Sequence, residues 1–374
     1  MFAALRTVCS SFALAVPLLA QVVRVVDAAG SPGSFPTLAA AEAASANGDT
    51  ILVLPTGLYD FALTTSKGLT ILGQGPASPT FRGRLVVANL PTGQQFVLRN
   101  FTTNVYPQVG WLGIDHCAGR VVLENLVLAG PGSGTGFGQG LGVIASHDVS
   151  MNLSACTGNH AVTVYESRFV ASDCQFVGEP ASVLSIGGLG LAAYGSEVWL
   201  TRCALSGPPA ALELSPSTGL PSWATMAGGS VASGSATAPV AVVVPGSLLR
   251  VDATTVLTGA VGGLFPGALA PFESGRAYLG LLPPGVTSGA NFEGPTGAFG
   301  ALALALPGPP MPTPIGILFA DAANYVIVAA GIVPVSVTFM LPAGVPSALP
   351  LLAQGVLLHQ NTLRLSPPLR TLTP

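Results

Sequence analysis

The sequence predicts an all-β protein, a right-handed parallel β-helix with an N-terminal capping helix, followed by a C-terminal β-sandwich. A short phrase recurs between Phe96 and Thr254, apolar-x-apolar-x-corner-apolar, written as FVLRNF, VVLENL, MNLSAC, FVASDC, VWLTRC and LRVDAT. Its composition suits strands and turns: 49% hydrophobic and only 8% charged residues, with 47 glycines and 33 prolines among 374 residues. Such a chain buries enough apolar surface to offset the entropy of ordering, so it folds. After Gly262 the style changes to Pro-Gly turns between short apolar or alternating runs, the pattern of a sandwich.

From the N-terminus, residues 1–20 carry Arg6 and then the apolar run 11–20, which reads as a secretory signal cleaved near Ala20 and Gln21. That run is too short to span a bilayer, and no later stretch offers about 18 uninterrupted apolar residues without Gly or Pro. The expected mature protein is therefore secreted, extracellular or held at the cell surface, with no membrane span. A net charge of -3 and a single lysine, Lys67, leave no basic stripe to neutralise a row of phosphates, which weighs against nucleic acid as a partner. Cys9 leaves with the signal. Cys117, Cys156, Cys174 and Cys203 remain, an even number that permits disulfides, but buried free thiols are expected because cysteine is among the most buried residue types even unpaired.

Residues 36–46 are Ala-rich with Pro36 in the first turn, which predicts the helix that covers the open first coil. Asn47-Gly48-Asp49 then turns into a strand over 50–54. Aligning the recurring phrases places Phe101, Leu126, Cys156, Cys174, Cys203 and Thr254 at one equivalent inward position. The gap between Cys203 and Thr254 is wide enough for one extra, poorly written turn. Each phrase bends at a corner, Asn100, Asn125, Ala155, Asp173, Arg202 or Ala253, and Asn and Asp tolerate the left-handed conformation a sharp bend needs. A third short strand, AVTVYES, GLAAYGS or VAVVVPGS, aligns Ser167 with Ser196 and Ser247, and Tyr165 with Tyr194. Irregular spacing around a fixed phrase puts the variation in loops, and stacked coils bury what one coil cannot.

The opening GSFPTLAAAEAASANGDTILVLPTGLYDF, followed by KGLTILGQG, resembles that of pectate-lyase-like right-handed β-helix proteins. The likeness covers about residues 33–257 and is architectural. In that family, WLGIDHC at 111–117 is similar to a lyase motif through Ile114, Asp115 and His116, with Gly113 where the family has tryptophan. The resemblance makes Asp115 and His116 the candidate catalytic residues. Lyases of this kind also need a cationic base and a calcium site of clustered carboxylates; neither an R-x-P-x-x-R motif nor an acidic cluster on neighbouring coils is written in the sequence. The paired-carboxylate signatures of polygalacturonases are missing too, and TGLYDF is only faintly similar to a pectin methylesterase phrase.

His116, His147, His160 and His359 show no metal-ligand spacing. The glycine-rich stretch 130–140 lacks a following helix and the lysine of a phosphate loop, so it reads as a loop. Asp173 and Arg202 occupy one corner on consecutive coils and are expected to pair. What remains is surface: Tyr165 and Tyr194 stack on consecutive coils, where sugar rings lie well on aromatic planes, and Glu166 beside them can accept sugar hydroxyls. These three are the candidate substrate-binding residues, against the alternative of ordinary packing. The expected organisation is a signal over 1–20, a β-helix over 21–261 and a sandwich-like module over 262–374. The expected role is non-catalytic, at the cell surface or in the matrix, with polysaccharide or a cell-surface glycan as partner and no cofactor. The alternative is a lyase or glycoside hydrolase acting on an acidic polysaccharide, with calcium if it is a lyase.

Overall fold

The computed structural model describes residues 22–372 except 75–77, 104–109, 131–138, 180–187, 209, 235, 261–268, 273–275, 280–284, 286, 314–315, 346–348, 361 and 367. The expected signal and most of the glycine-rich stretch lie outside the described residues. So does the expected boundary between 261 and 262. Around it, the last parallel strand is Leu269–Phe272, paired with Leu248–Asp252, and the first antiparallel strand is Arg276–Leu279.

The N-terminal part is a parallel β-solenoid of about 8 turns. Each full coil contributes to three sheets. Sheet A and sheet B are often two halves of one bent strand, as in Arg120–Ala129 and Glu197–Gly207. Sheet C is built from Leu58–Thr65, Thr80–Ala88, Gly110–Asp115, Gln139–Ile144, His160–Tyr165, Leu189–Tyr194, Leu212–Ser215 and Ala241–Val243. Side chains alternate in and out along each strand, so register decides what is buried. Sheet A stacks Ile51, Ile71, Leu98, Leu123, Met151, Ala171, Leu200 and Met226 on consecutive coils, all buried.

Two columns of left-handed residues turn the chain between sheets. Asn89, His116, Ala145, Glu166 and Gly195 bend sheet C into sheet A, and Asn100, Asn125, Leu153, Asp173 and Arg202 bend sheet A into sheet B. A non-glycine residue in this conformation costs roughly 1–2 kcal/mol. Backbone bonds to the next coil offset it: Asn89 N–H donates to the Asp115 carbonyl at 2.9 Å, His116 to Ile144 at 2.9 Å and Glu166 to Tyr194 at 2.8 Å.

Four of the six expected corners, Asn100, Asn125, Asp173 and Arg202, adopt this conformation. The other two are corrected. Leu153 and not Ala155 makes the third bend, so Ser154 fills the inward position assigned to Cys156, which instead pairs with Leu128 and Phe176. The Ser154 hydroxyl takes the Leu126 N–H at 3.0 Å and donates to Asn152 at 2.7 Å, a polar solution where an apolar or thiol side chain was expected. Beyond Cys203 the column passes through Gly229, the extra turn in the wide gap, and Val256 pairs with Ser230, which places Thr255 rather than Thr254 in line. Left-handed Gly228 and Gly229 make that bend in the coil before Ala253. Cys117, Cys156, Cys174 and Cys203 are buried free thiols.

The expected helix is present but shorter, Leu38–Ala44, with Thr37 as N-cap: its side chain accepts the Ala40 N–H at 3.2 Å. Pro36 therefore precedes the cap instead of sitting in the first turn. Leu38 and Ala41 bury against the first coil, and the Lys67 ammonium donates to the Glu42 carbonyl at 2.7 Å near the helix end.

The C-terminal module packs a three-stranded antiparallel sheet, Arg276–Leu279, Thr287–Glu293 and Val335–Met340, on a second one. That second sheet contains Phe299–Thr313, Gly316–Ile332, Pro350–His359, Thr362–Leu365 and Leu369–Leu372. They share a core of Phe292, Leu302, Ala353 and Leu357. Gly300 and Gly355 leave room for the Phe292 ring, whose atoms a Cβ at either position would strike. The module docks on sheet A through Trp199, edge-on to Phe319 at 5.2 Å, with Val170, Ala305 and Leu352 around it. Arg120 and Arg202 reach across to the carbonyls of Pro307 (2.7 Å) and Ala277 (3.0 Å).

Candidate functional site

The outer side of sheet C gathers every candidate read from the sequence. Ladder register places Asp115 beside Ile144, Ile144 beside Tyr165, Tyr165 beside Tyr194 and Tyr194 beside Ser215, one column across five coils. His116 and Glu166 belong to the adjoining left-handed column, two coils apart with Ala145 between them. With coils about 4.8 Å apart, the Asp115–His116 pair lies roughly 10 Å from Tyr165 and Glu166.

Tyr165 and Tyr194 stack with ring centroids 6.3 Å apart and planes at 41°, and Tyr165 is 39% exposed. Ser217, from the turn after Leu212–Ser215, locks this edge. Its hydroxyl bonds the Tyr165 hydroxyl at 2.8 Å and the Glu166 carboxylate at 3.1 Å, while Thr218 donates to the same carboxylate at 2.7 Å. Gly195 makes this reach possible: a Cβ there would lie 3.0 Å from the Ser217 Cβ, and its φ of +57° suits a residue without one.

Sequence reasoning missed the other half of the site. Glu213 points outward two coils from Thr163, with Ala192 between them. Burial pushes the Tyr194 phenol up to about 12, and the Glu213 charge and the hydrogen bond to it push the same way. The same carboxylate acts on His160, whose pKa burial lowers more than Glu213 raises it, so this imidazole is neutral at pH 7. His160 Nδ1 and Thr163 Oγ1 are buried without a hydrogen-bond partner. The only signal for Glu213 in the sequence was its outward place in the alternating Leu212-Glu213-Leu214.

Farther along the same sheet, the Trp111 indole lies over Gly113 and Gly142, with the Arg84 guanidinium 4.4 Å from its centroid. The Asp115 carboxylate and His116 Nδ1 are 2.7 Å apart, and their side chains are 43% and 64% exposed. Their neighbours on adjacent coils are Ala88 and Ile144, and Asn89 and Ala145, none of which ionises. Among the described residues no group of three or more His, Cys, Asp or Glu side chains is placed to hold a metal ion. A shallow groove of about 650 Å³ follows the opposite corner past Asn125, Leu153 and Asp173, where Arg202 takes the Asp173 carboxylate in the expected pair.

No protein-family model and no curated protein matches this chain. The site's chemistry therefore has to be read from its own residues. A half-exposed aromatic pair and two hydroxyl-bonded carboxylates form a surface that can hold a polyhydroxylated ligand through ring stacking and hydrogen bonds.

Proposed function

We propose that this is an exported, non-catalytic β-helix protein of the pectate-lyase-like kind that binds a polysaccharide at the cell surface or in the matrix. The observation that carries it is the Tyr165–Tyr194 stack, oriented by Ser217 and flanked by Glu166 and Glu213. An extended glycan crossing the coils meets aromatic planes and hydroxyl acceptors on successive strands. The capping helix and the GDTI opening support the family reading, and the apolar N-terminal run supports export. A double variant, Tyr165→Ala with Tyr194→Ala, should lose binding on a glycan array while keeping the far-ultraviolet spectrum of the parent. Binding that survives in the folded double variant would sink this reading.

The rival reading is a lyase or hydrolase acting on an acidic polysaccharide, favoured by the 2.7 Å contact between Asp115 and His116. It predicts unsaturated uronate product from a polyuronate with calcium, lost in His116→Ala. Neighbouring coils offer this pair no arginine or second carboxylate at the adjacent positions, which is why binding is preferred.

A further inference from the structure

The tyrosine edge carries charge without compensation. Glu166 is held by Ser217 and Thr218, and Glu213 by Ser215 and Tyr194, all neutral hydroxyls. Among the described residues neither carboxylate makes an ion pair. Arg168, two residues past Glu166, bonds Glu197 at 2.9 Å. Arg84 lies on the same sheet but three coils before Tyr165, about 14 Å along the axis at ~4.8 Å per coil. That exceeds the screening length of about 8 Å at physiological ionic strength. Among the described residues His160, beside Glu213, is neutral at pH 7, and His116 lies two coils from Glu166, roughly 10 Å away, against the Asp115 carboxylate.

Resting on the glycan-binding reading, we infer that this edge selects polysaccharides bearing protonated amines, such as de-N-acetylated hexosamine polymers, and rejects polyuronates. Protonated amines on successive sugars gain from Glu166 or Glu213, two coils apart, and from the faces of the tyrosine rings, whereas uronate carboxylates are repelled by the same groups. The N-acetylated form of the same sugar keeps the hydroxyls and loses the charge, so it isolates the electrostatic part.

The test is calorimetric titration of the full mature chain with three oligomers of equal length: a β-linked glucosamine oligomer, its N-acetylated counterpart and an oligogalacturonate, in mildly acidic buffer at low and high salt. The expected order is amine, then N-acetyl by about three- to tenfold, with no galacturonate binding, and with salt weakening only the amine complex. Glu166→Gln and Glu213→Gln should each lower the ratio of amine to N-acetyl affinity, whatever each does to N-acetyl binding itself, and should weaken the salt dependence of the amine complex. Equal or tighter binding of the N-acetylated or uronate oligomer, lost in the tyrosine double variant, overturns the charge selection and leaves the glycan site standing. Binding of none of the three overturns the charge selection, and an array on which no other glycan depends on the tyrosines overturns the site with it.

Discussion

The Ser196 hydroxyl accepts the backbone N–H of Ser167, one coil away, at 3.1 Å, and donates to the Tyr194 carbonyl at 2.8 Å. The arrangement repeats: Cys117 to Ser146 at 2.9 Å, Ser146 to Ser167 at 3.0 Å, Ser196 to Ser222 and Ser222 to Ser247, each at 3.2 Å. Every one of these serines is buried directly after the first corner or its equivalent. Here a left-handed bend leaves backbone groups that the ladder does not pair, and a hydroxyl fits where a larger side chain would not.

Removing one rung should therefore cost more than its size suggests. Ser196→Ala leaves the Ser167 amide buried and unpaired, a loss of about 1–3 kcal/mol. Ser196→Cys keeps a donor to the Tyr194 carbonyl, as Cys117 does for Asp115, and should lose less. Urea midpoints rank the two; identical midpoints would remove the ladder from the account of stability.

The corner at Leu153 should be improvable. Its side chain is 51% exposed and its φ is +48°, so it bears the left-handed cost with little burial in return. Leu153→Asn should raise stability by about 1 kcal/mol, and Asn125→Leu should lower it comparably. Thermal midpoints moving in opposite directions would bear this out, and an unstable Leu153→Asn would count against it.

Trp199 couples the two modules. Trp199→Ala removes the edge contact to Phe319 and should weaken docking by on the order of 2 kcal/mol, less than a fully buried Trp because this one is half-buried. The expected result is denaturation that separates into two transitions. A single unshifted transition would place the coupling elsewhere, at Arg120 and Arg202.

Tyr194 should titrate late. Its phenol is raised from 10.0 to about 12, so the folded state disfavours the phenolate. The associated stability is present below about pH 10 and is lost as pH rises toward 12. Phenolate absorbance should show a late-ionising component that is lost in Tyr194→Phe. In Glu213→Gln it should titrate earlier without becoming ordinary, because burial is the larger cause. A Glu213→Gln curve identical to the parent's would place that carboxylate away from the phenol.

Much of the solenoid was legible because coil architecture is written locally. The apolar alternation, the Asn and Asp corners and the serines after the third strand all recur within a few residues of one another. The errors arose where two residue types do the same job: Ser154 replaces a thiol or an apolar side chain, Leu153 stands where Asn or Asp was sought, and Gly229 completes a turn with no apolar side chain at all. Glu213 escaped notice because a lone glutamate between two leucines is also what any exposed strand position looks like.

The amino-acid order alone determined that the chain stacks, that it bends at Asn100, Asn125, Asp173 and Arg202, and what covers its first coil, since those depend on short-range pattern and conformational preference. Only the tertiary structure decided that Asp115 shares the column of Tyr165 and Tyr194, that Gly195 lets Ser217 reach Glu166, and that Glu213 meets Tyr194. Loops of unequal length separate those residues, and loop length carries no register. The inter-coil hydrogen bonds set it.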